Sequence, residues 1–121
     1  MNTVTITLPY PVSANNFKTS VGGHMVKSAA ARAYTLEAQQ LAMKARLKPM
    51  DGRLSVRIDV YQVGRQWMDL GNVEKLPVDS MKGWLFHDDR QIDRLLIVRH
   101  RCDERPRVVL SVSRITGNED G

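Results

Sequence analysis

Acidic side chains, an Asn and a Lys are gathered between residues 69 and 89 of a chain that is otherwise basic. The segment opens Asp69-Leu70-Gly71-Asn72-Val73-Glu74-Lys75, passes through Asp79 and closes on Asp88-Asp89. Carboxylates repel phosphates unless a divalent cation sits between them. An acidic centre in a basic protein therefore points to metal-dependent chemistry on nucleic acid. A magnesium-dependent phosphodiesterase needs two or three carboxylates on a hard cation that keeps several waters and touches a phosphate oxygen. A nearby Lys adds positive charge where negative charge develops. Asp69, Lys75 and the pair Asp88-Asp89 are of the right types for these parts. They also read as ordinary structure, with Asp69 as a helix N-cap and Asp88-Asp89 as a solvated turn. Residue types alone leave both readings open.

The charge balance is 18 Lys and Arg against 13 Asp and Glu, a net +5. That favours a polyanionic partner, with a merely basic soluble domain as the competing reading. A length of 121 residues fits one domain with one core, and 42% apolar residues exclude wholesale disorder. The one cysteine, Cys102, excludes an internal disulfide and a cysteine zinc cluster, and fits a reducing compartment. No signal peptide opens the sequence, and no apolar run approaches the ~20 residues that cross a bilayer. The expectation is a cytoplasmic protein without a membrane partner.

The elements that must position these residues follow from periodicity. Thr3 to Leu8 alternates as a strand and is stopped by Pro9 and Pro11. Ser13 to Met25, with Asn15-Asn16 and Gly22-Gly23, reads as loop. Ser28 is placed to cap a helix through about Leu47, with Ala30, Tyr34, Ala38, Leu41, Ala42 and Ala45 at helical spacing. Leu54 to Tyr61 alternates strictly and is the clearest strand. A second helix is expected from near Asp69 to Gly83, with Gly83 as its C′ residue. Pro77 predicts that this helix is short, starts late or is kinked. Gln91–His100 and Arg107–Ile115 read as strands, with Cys102 to Pro106 as a hairpin connection. The order β-α-β-α-β-β predicts an α/β (α+β) domain over residues 1–121, a mixed four-stranded sheet carrying two helices.

The ordered set of motifs resembles the RusA family of Holliday junction resolvases, small homodimeric endonucleases that cut four-way DNA junctions. The resemblance covers nearly the whole chain. Ile6-Thr7-Leu8-Pro9-Tyr10-Pro11-Val12-Ser13-Ala14-Asn15-Asn16 resembles the family's first strand and its Pro-x-Ser-x-Asn turn. Ser28 with Ala33-Tyr34 resembles the start of its first helix. Asp69 to Lys75 resembles its central Asp-x-Asp-Asn-x-x-Lys motif. Asp79, Gly83-Trp84 and Leu85 to Gln91 resemble the segment that ends in the acidic pair.

The resemblance implies a role for each matching position. Asp69 and Asp89 would be metal-binding carboxylates, with Asp88 as a further candidate. Lys75 would be the essential lysine beside the scissile phosphate, and Asn72 a supporting polar residue. The implied reaction is magnesium-dependent hydrolysis of a phosphodiester, with manganese as a substitute metal, and the implied partners are branched DNA and a second copy of the chain. One position departs: where the family has its second Asp, this chain has Gly71, which carries no ligand. Three explanations are open. Another acid, with Glu74, Asp88 and Asp93 as candidates, takes the vacated role. The site is naturally slow or dead. Or the change was introduced to inactivate it. The alternative function is accordingly a non-catalytic junction-binding or nucleic-acid-binding protein on the same fold.

The remaining basic residues fit a DNA role as a set. Lys18 and Lys27 flank the Gly-rich loop, and Arg90, Arg94, Arg99, Arg101, Arg105 and Arg107 crowd the last third of the chain. Residues two apart on a strand share a face, so Arg99 and Arg101 form a candidate basic stripe on phosphates. His87 reads as structural, and Trp67 and Trp84-Leu85-Phe86 read as core or dimer contacts.

Overall fold

The computed structural model describes residues 3–11, 18–62, 70–101 and 105–115, with only the backbone of 18–21, 24–27, 71 and 72. In chain order these form β1 (Thr3–Pro9), β2 (Lys18–Val21), β3 (His24–Lys27), α1 (Ala29–Lys44), β4 (Leu54–Gln62), α2 (Leu70–Val73), α3 (Lys75–Met81), β5 (Ile92–Arg101) and β6 (Arg107–Arg114). The expected mixed four-stranded sheet is present, in the order β1-β6-β4-β5. β6 runs antiparallel to β1 and β4, while β4 and β5 are parallel. Parallel neighbours need a crossover connection, and the helical segment between β4 and β5 supplies it.

Two expectations are corrected. Cys102 to Pro106 does not join a β-hairpin, because β5 and β6 do not pair; both lie against β4. β4 alternates most cleanly, with Leu54, Val56, Ile58 and Val60 buried, so it takes the central place and bonds on both edges. β5 exposes Leu95 and Leu96 and lies at the sheet's edge. The second correction concerns residues 13–25, which read as loop. Lys18–Val21 and His24–Lys27 pair antiparallel across Gly22-Gly23, and both glycines have positive φ, 58° and 82°. Two central residues with positive φ make the tight turn whose twist matches a hairpin, and Gly-Gly is its sequence signal.

The core lies on one face of the four-stranded sheet. Ile6 and Leu8 of β1, Val108, Leu110 and Val112 of β6, and the inward set of β4 meet α1 and α3 there. On α1 the buried positions are Ala31, Tyr34, Ala38 and Ala42, a spacing of three and four residues that keeps one face inward. Ala30 and Ala45, expected on that face, are exposed; Ala31 occupies the inward position instead. Ser28 Oγ accepts from the Ala31 N–H at 3.1 Å, so the capping expectation holds. The helix ends before Leu47. Arg46 takes a left-handed φ of 57°, its N–H donates to the Met43 carbonyl, and the Leu47 N–H donates to Ala42. This is a Schellman ending, with Arg where Gly is usual. The Tyr34 hydroxyl donates to the Pro9 carbonyl at 2.7 Å, tying α1 to the end of β1. Burial raises the Tyr34 pKa far above its ordinary value.

Candidate active site

Pro77 shapes the segment that carries the lysine. It has no N–H to give the Val73 carbonyl, so a helix running unbroken from residue 70 would lose a bond and meet the proline ring. The helix instead restarts: α2 ends at Val73, and Pro77 falls in the first turn of α3, where donors have no intrahelical partner. This is the late start that the proline predicts. Leu76, Pro77, Val78, Ser80 and Met81 face the core, leaving Glu74, Lys75 and Asp79 to the outer side.

A tight turn then carries the chain back toward the sheet. Gly83 has φ 86°, which a side chain rarely allows, and its N–H donates to the Phe86 carbonyl at 2.7 Å. The Leu85 N–H donates to Met81 at 2.8 Å, and Leu85 and Phe86 are fully buried. The acidic pair follows this anchored turn directly.

Gln91 fixes the pair in place. Its Oε1 accepts from the N–H groups of His87 and Asp88 at 2.7 and 2.9 Å. Its Nε2 donates to the carbonyls of Met50 and Gly52 at 2.9 and 3.0 Å. The amide spends both acceptor and both donor positions on backbone groups. The Asp88 carboxylate accepts from the Arg90 N–H at 2.9 Å, closing a capping box on a 3-10 turn over Asp89–Gln91. That backbone bond, with the Arg90 side chain beside it, holds the Asp88 carboxyl down to about 2. His87 reaches Asp51 at 2.8 Å, consistent with a structural histidine.

With Asp88 engaged as a cap, Asp89 is the member of the pair that faces α3. A cleft of about 300 Å³ is lined by Glu74, Lys75 and Asp79 from the helix and by Asp89 opposite. Val78, Ile92 and Leu95 supply its apolar wall. Lys82 Nζ lies 4.0 Å from Asp89. Partial burial raises the Glu74 pKa, with Lys75 opposing and Asp79 adding to the rise. Asp93 does not line the cleft; Arg53 holds it in an ion pair and also donates to the Arg90 carbonyl.

The structure thus brings Lys75 and Asp89 together. Asp69 lies outside the described residues, while Gly71 and Asn72 sit in α2. Among the described residues no three His, Cys, Asp or Glu side chains converge closely enough to hold a metal ion. Lys18 and Lys27 stand opposite each other in the β2-β3 register. Arg90 is exposed and paired with Asp88 at 3.4 Å. Arg99 and Arg101 pair with Val60 and Gln62 of β4, on the sheet face that also carries Leu95 and Ile97. The stripe of Arg99 and Arg101 spans about 7 Å of β5 and begins about 13 Å along the strand from Leu95 of the cleft wall.

Two features escaped the sequence reading. One is Gln91, although the spacing Asp88-x-x-Gln91 is a capping-box signature. The other lies on the sheet face away from the helices. There Asp59 accepts both the Arg57 guanidinium at 3.0 Å and His100 at 2.7 Å. Tyr61 stacks on His100 with centroids 4.7 Å apart, and the Arg107 guanidinium lies 4.1 Å over the Tyr61 ring. The signal was alternation in β4 and β5, which puts these residues on one face once the register is known. Among the described residues no helix is long and apolar enough to cross a membrane.

Comparison with known proteins supplies a family. The family model described as Endodeoxyribonuclease RusA matches residues 9–113. The protein named crossover junction endodeoxyribonuclease RusA in Escherichia coli strain K12 is 29% identical, over 98% of this chain and all of the relative. The protein of the same name in Shigella sonnei strain Ss046 is also 29% identical over the same shares. That of Enterobacteria phage 82 is 28% identical over 98% of this chain and the whole relative.

Proposed function

Because this chain belongs to the RusA family of endodeoxyribonucleases, we propose that it is a Holliday junction resolvase, nicking four-way DNA junctions symmetrically by magnesium-dependent phosphodiester hydrolysis. The observation that carries this reading is the meeting of Lys75 and Asp89, fourteen positions apart in sequence, across one cleft. The donors present suit a hard cation, because Glu74, Asp79 and Asp89 offer only oxygen. Asp69 and Asp89 would hold magnesium or manganese, and the ion would supply an activated water and charge neutralisation at the phosphate. Lys75 places its ammonium where the scissile phosphate would lie and stabilises the charge that develops there. The apolar wall of Val78, Ile92 and Leu95 limits water on one side and strengthens that interaction.

DNA would enter along β5, where Arg99 and Arg101 lie on the same face as Leu95, four and six residues beyond it. Their contacts would be to phosphates, which position a duplex without reading its sequence. A four-way junction needs two opposed cuts, and a two-fold homodimer offers two related sites, so a second copy of the chain is part of the proposal.

Gly71, at the place of a carboxylate in the family motif, favours a second reading: a junction-binding protein that does not cut. A synthetic four-way junction titrated with magnesium separates the two. Paired nicks that need the metal support the resolvase. Tight binding with no nicks at any magnesium concentration supports the second reading and refutes the first. Equal competition by linear duplex refutes junction selectivity in both.

A further inference from the structure

We propose, resting on the junction-resolvase reading above, that the sheet face turned away from the helices is a second DNA-contacting surface. It holds the phosphate backbone of one junction arm while another arm lies along Arg99 and Arg101.

The strand register gathers the residues of that face. Leu54, Val56, Ile58 and Val60 of β4 point to the core, so Ser55, Arg57, Asp59 and Tyr61 point the other way. Their partners include Arg94 and His100 on β5 and Arg107, Ser111 and Ser113 on β6. Thr3, Thr5 and Thr7 of β1 extend the face. None of these residues is buried. Three arginines, Arg57, Arg94 and Arg107, share it with one carboxylate, Asp59, which Arg57 at 3.0 Å and His100 at 2.7 Å already engage. An ordinary solvated face mixes both signs; this one keeps an excess of positive charge, which a polyanion complements. The threonine and serine hydroxyls beside it can donate to phosphate oxygens.

The aromatic stack indicates which part of DNA fits. Tyr61 stands on β4 between His100 on β5 and Arg107 on β6. The His100 ring is stacked on it with centroids 4.7 Å apart and planes 16° apart, and the Arg107 guanidinium lies 4.1 Å from its centroid. These neighbours approach from opposite sides, so both flat faces of the Tyr61 ring are covered. A base has no ring face of Tyr61 to stack on, and the contact falls to the sugar-phosphate backbone. The stack also holds Arg107, and Asp59 holds Arg57, before DNA arrives, which lowers the ordering cost of contact.

The two basic sets use opposite faces of one strand. Arg99 and Arg101 pair with Val60 and Gln62 on the helix side, while Arg94 and His100 pair with Ser55 and Tyr61 on the other. A linear duplex occupies one face; a four-way junction has further arms and can engage both.

The test uses the full chain and a synthetic four-way junction in Ca²⁺, with affinity read by fluorescence anisotropy across a range of salt. Each phosphate contact contributes about 0.9 to the slope of log affinity against log salt. Arg94→Gln and Arg107→Gln should each lower that slope by about 0.9 and weaken binding roughly 5–10-fold near about 0.1 M salt. Arg107→Lys keeps the charge and should keep the slope. Arg32→Gln makes the same charge change on the exposed side of α1, off this face, and should leave the slope within about 0.3. Melting temperatures should stay within about 2 °C of the parent. Thr5→Glu, at an exposed position of the same face, should weaken binding likewise and serves if an arginine variant does not fold. Linear duplex should lose less than about twofold, and an equal loss on duplex and junction overturns the assignment to a second arm. If the parent chain binds and nicks the junction while none of the three face variants changes affinity or slope, the second surface is overturned and the resolvase reading stands. Equal weakening by Arg32→Gln also overturns it, because net charge alone would then be at work. Conversion of a dimer to a monomer by Thr5→Glu or Arg107→Gln, read by light scattering, assigns the face to contact between copies and overturns the proposal. If the parent chain binds no junction, both readings fall together.

Discussion

The Gln91 amide makes four hydrogen bonds to backbone groups, two from the chain just before Asp89 and two from residues 50–52. Gln91→Met keeps the length of the side chain and removes all four. The bonds to the Asp88 N–H and the Met50 carbonyl are partly buried, so each should count for about 1 kcal/mol net. The bonds to His87 and Gly52 are exposed, and water replaces them at little cost. The expected destabilisation is therefore about 2 kcal/mol, or roughly 8 °C in melting temperature for a domain of this size. Thermal unfolding by circular dichroism measures it directly. A second consequence separates anchoring from stability alone. At a temperature where the variant is fully folded, junction nicking should still fall by on the order of 10–100-fold, because Asp89 loses the frame that aims it at the cleft. A melting temperature within 2 °C of the parent, or full nicking by the folded variant, would refute the reasoning, since the four bonds would then be incidental.

On the proposed mechanism, Lys75→Gln removes the ammonium that would face the scissile phosphate and should lower nicking by about 10²–10³-fold, with junction affinity in Ca²⁺ by gel shift changed less than threefold or so. Arg46→Gly places glycine at a left-handed φ of 57° and should raise stability by about 1 kcal/mol, some 4 °C in melting temperature, without changing nicking. The Arg57 hydrogen bond, helped by His100, holds the Asp59 carboxyl below its ordinary range. A depressed folded pKa gives stability that is present above the unfolded value near ~3.9 and lost as pH falls through the folded one. Asp59→Asn should therefore flatten the loss of melting temperature below pH ~4; a parallel acid limb in both proteins would refute the assignment.

The parts of the fold that were legible in the sequence are those set by local pattern. Alternation in Leu54–Gln62 marked the central strand, Ser28 marked the start of α1, and Pro77 marked the late start of α3. Gly83 marked the turn after it because only a residue without Cβ takes φ 86° easily. The strand order was not legible, because each strand's own period is the same whichever neighbour it bonds. Proximity in sequence suggested pairing β5 with β6. The preference that decided otherwise is global: β4, with its alternate residues buried, takes an inner position between β6 and β5 and so separates them. The candidate site divides in the same way. The residue types at 69, 75 and 89 suggested a metal-dependent phosphodiesterase, but nothing local distinguished Asp88 from Asp89. The distinction comes from a capping box over the four residues Asp88–Gln91 and from an amide whose partners at Met50 and Gly52 lie about forty positions upstream.

That division has a consequence for how the cleft tolerates change. Its two sides are held by independent devices. Lys75 and Glu74 are placed by the helix break that Pro77 imposes and by burial of Leu76, Val78 and Met81 beneath them. Asp89 is placed by the buried pair Leu85-Phe86 and by Gln91. Neither device uses a carboxylate of the cleft itself. The side chains that line the cleft can therefore change without disturbing either support. The arrangement separates the groups that line the cleft from the groups that hold them, so substitutions of the lining side chains should change chemistry before they change the fold.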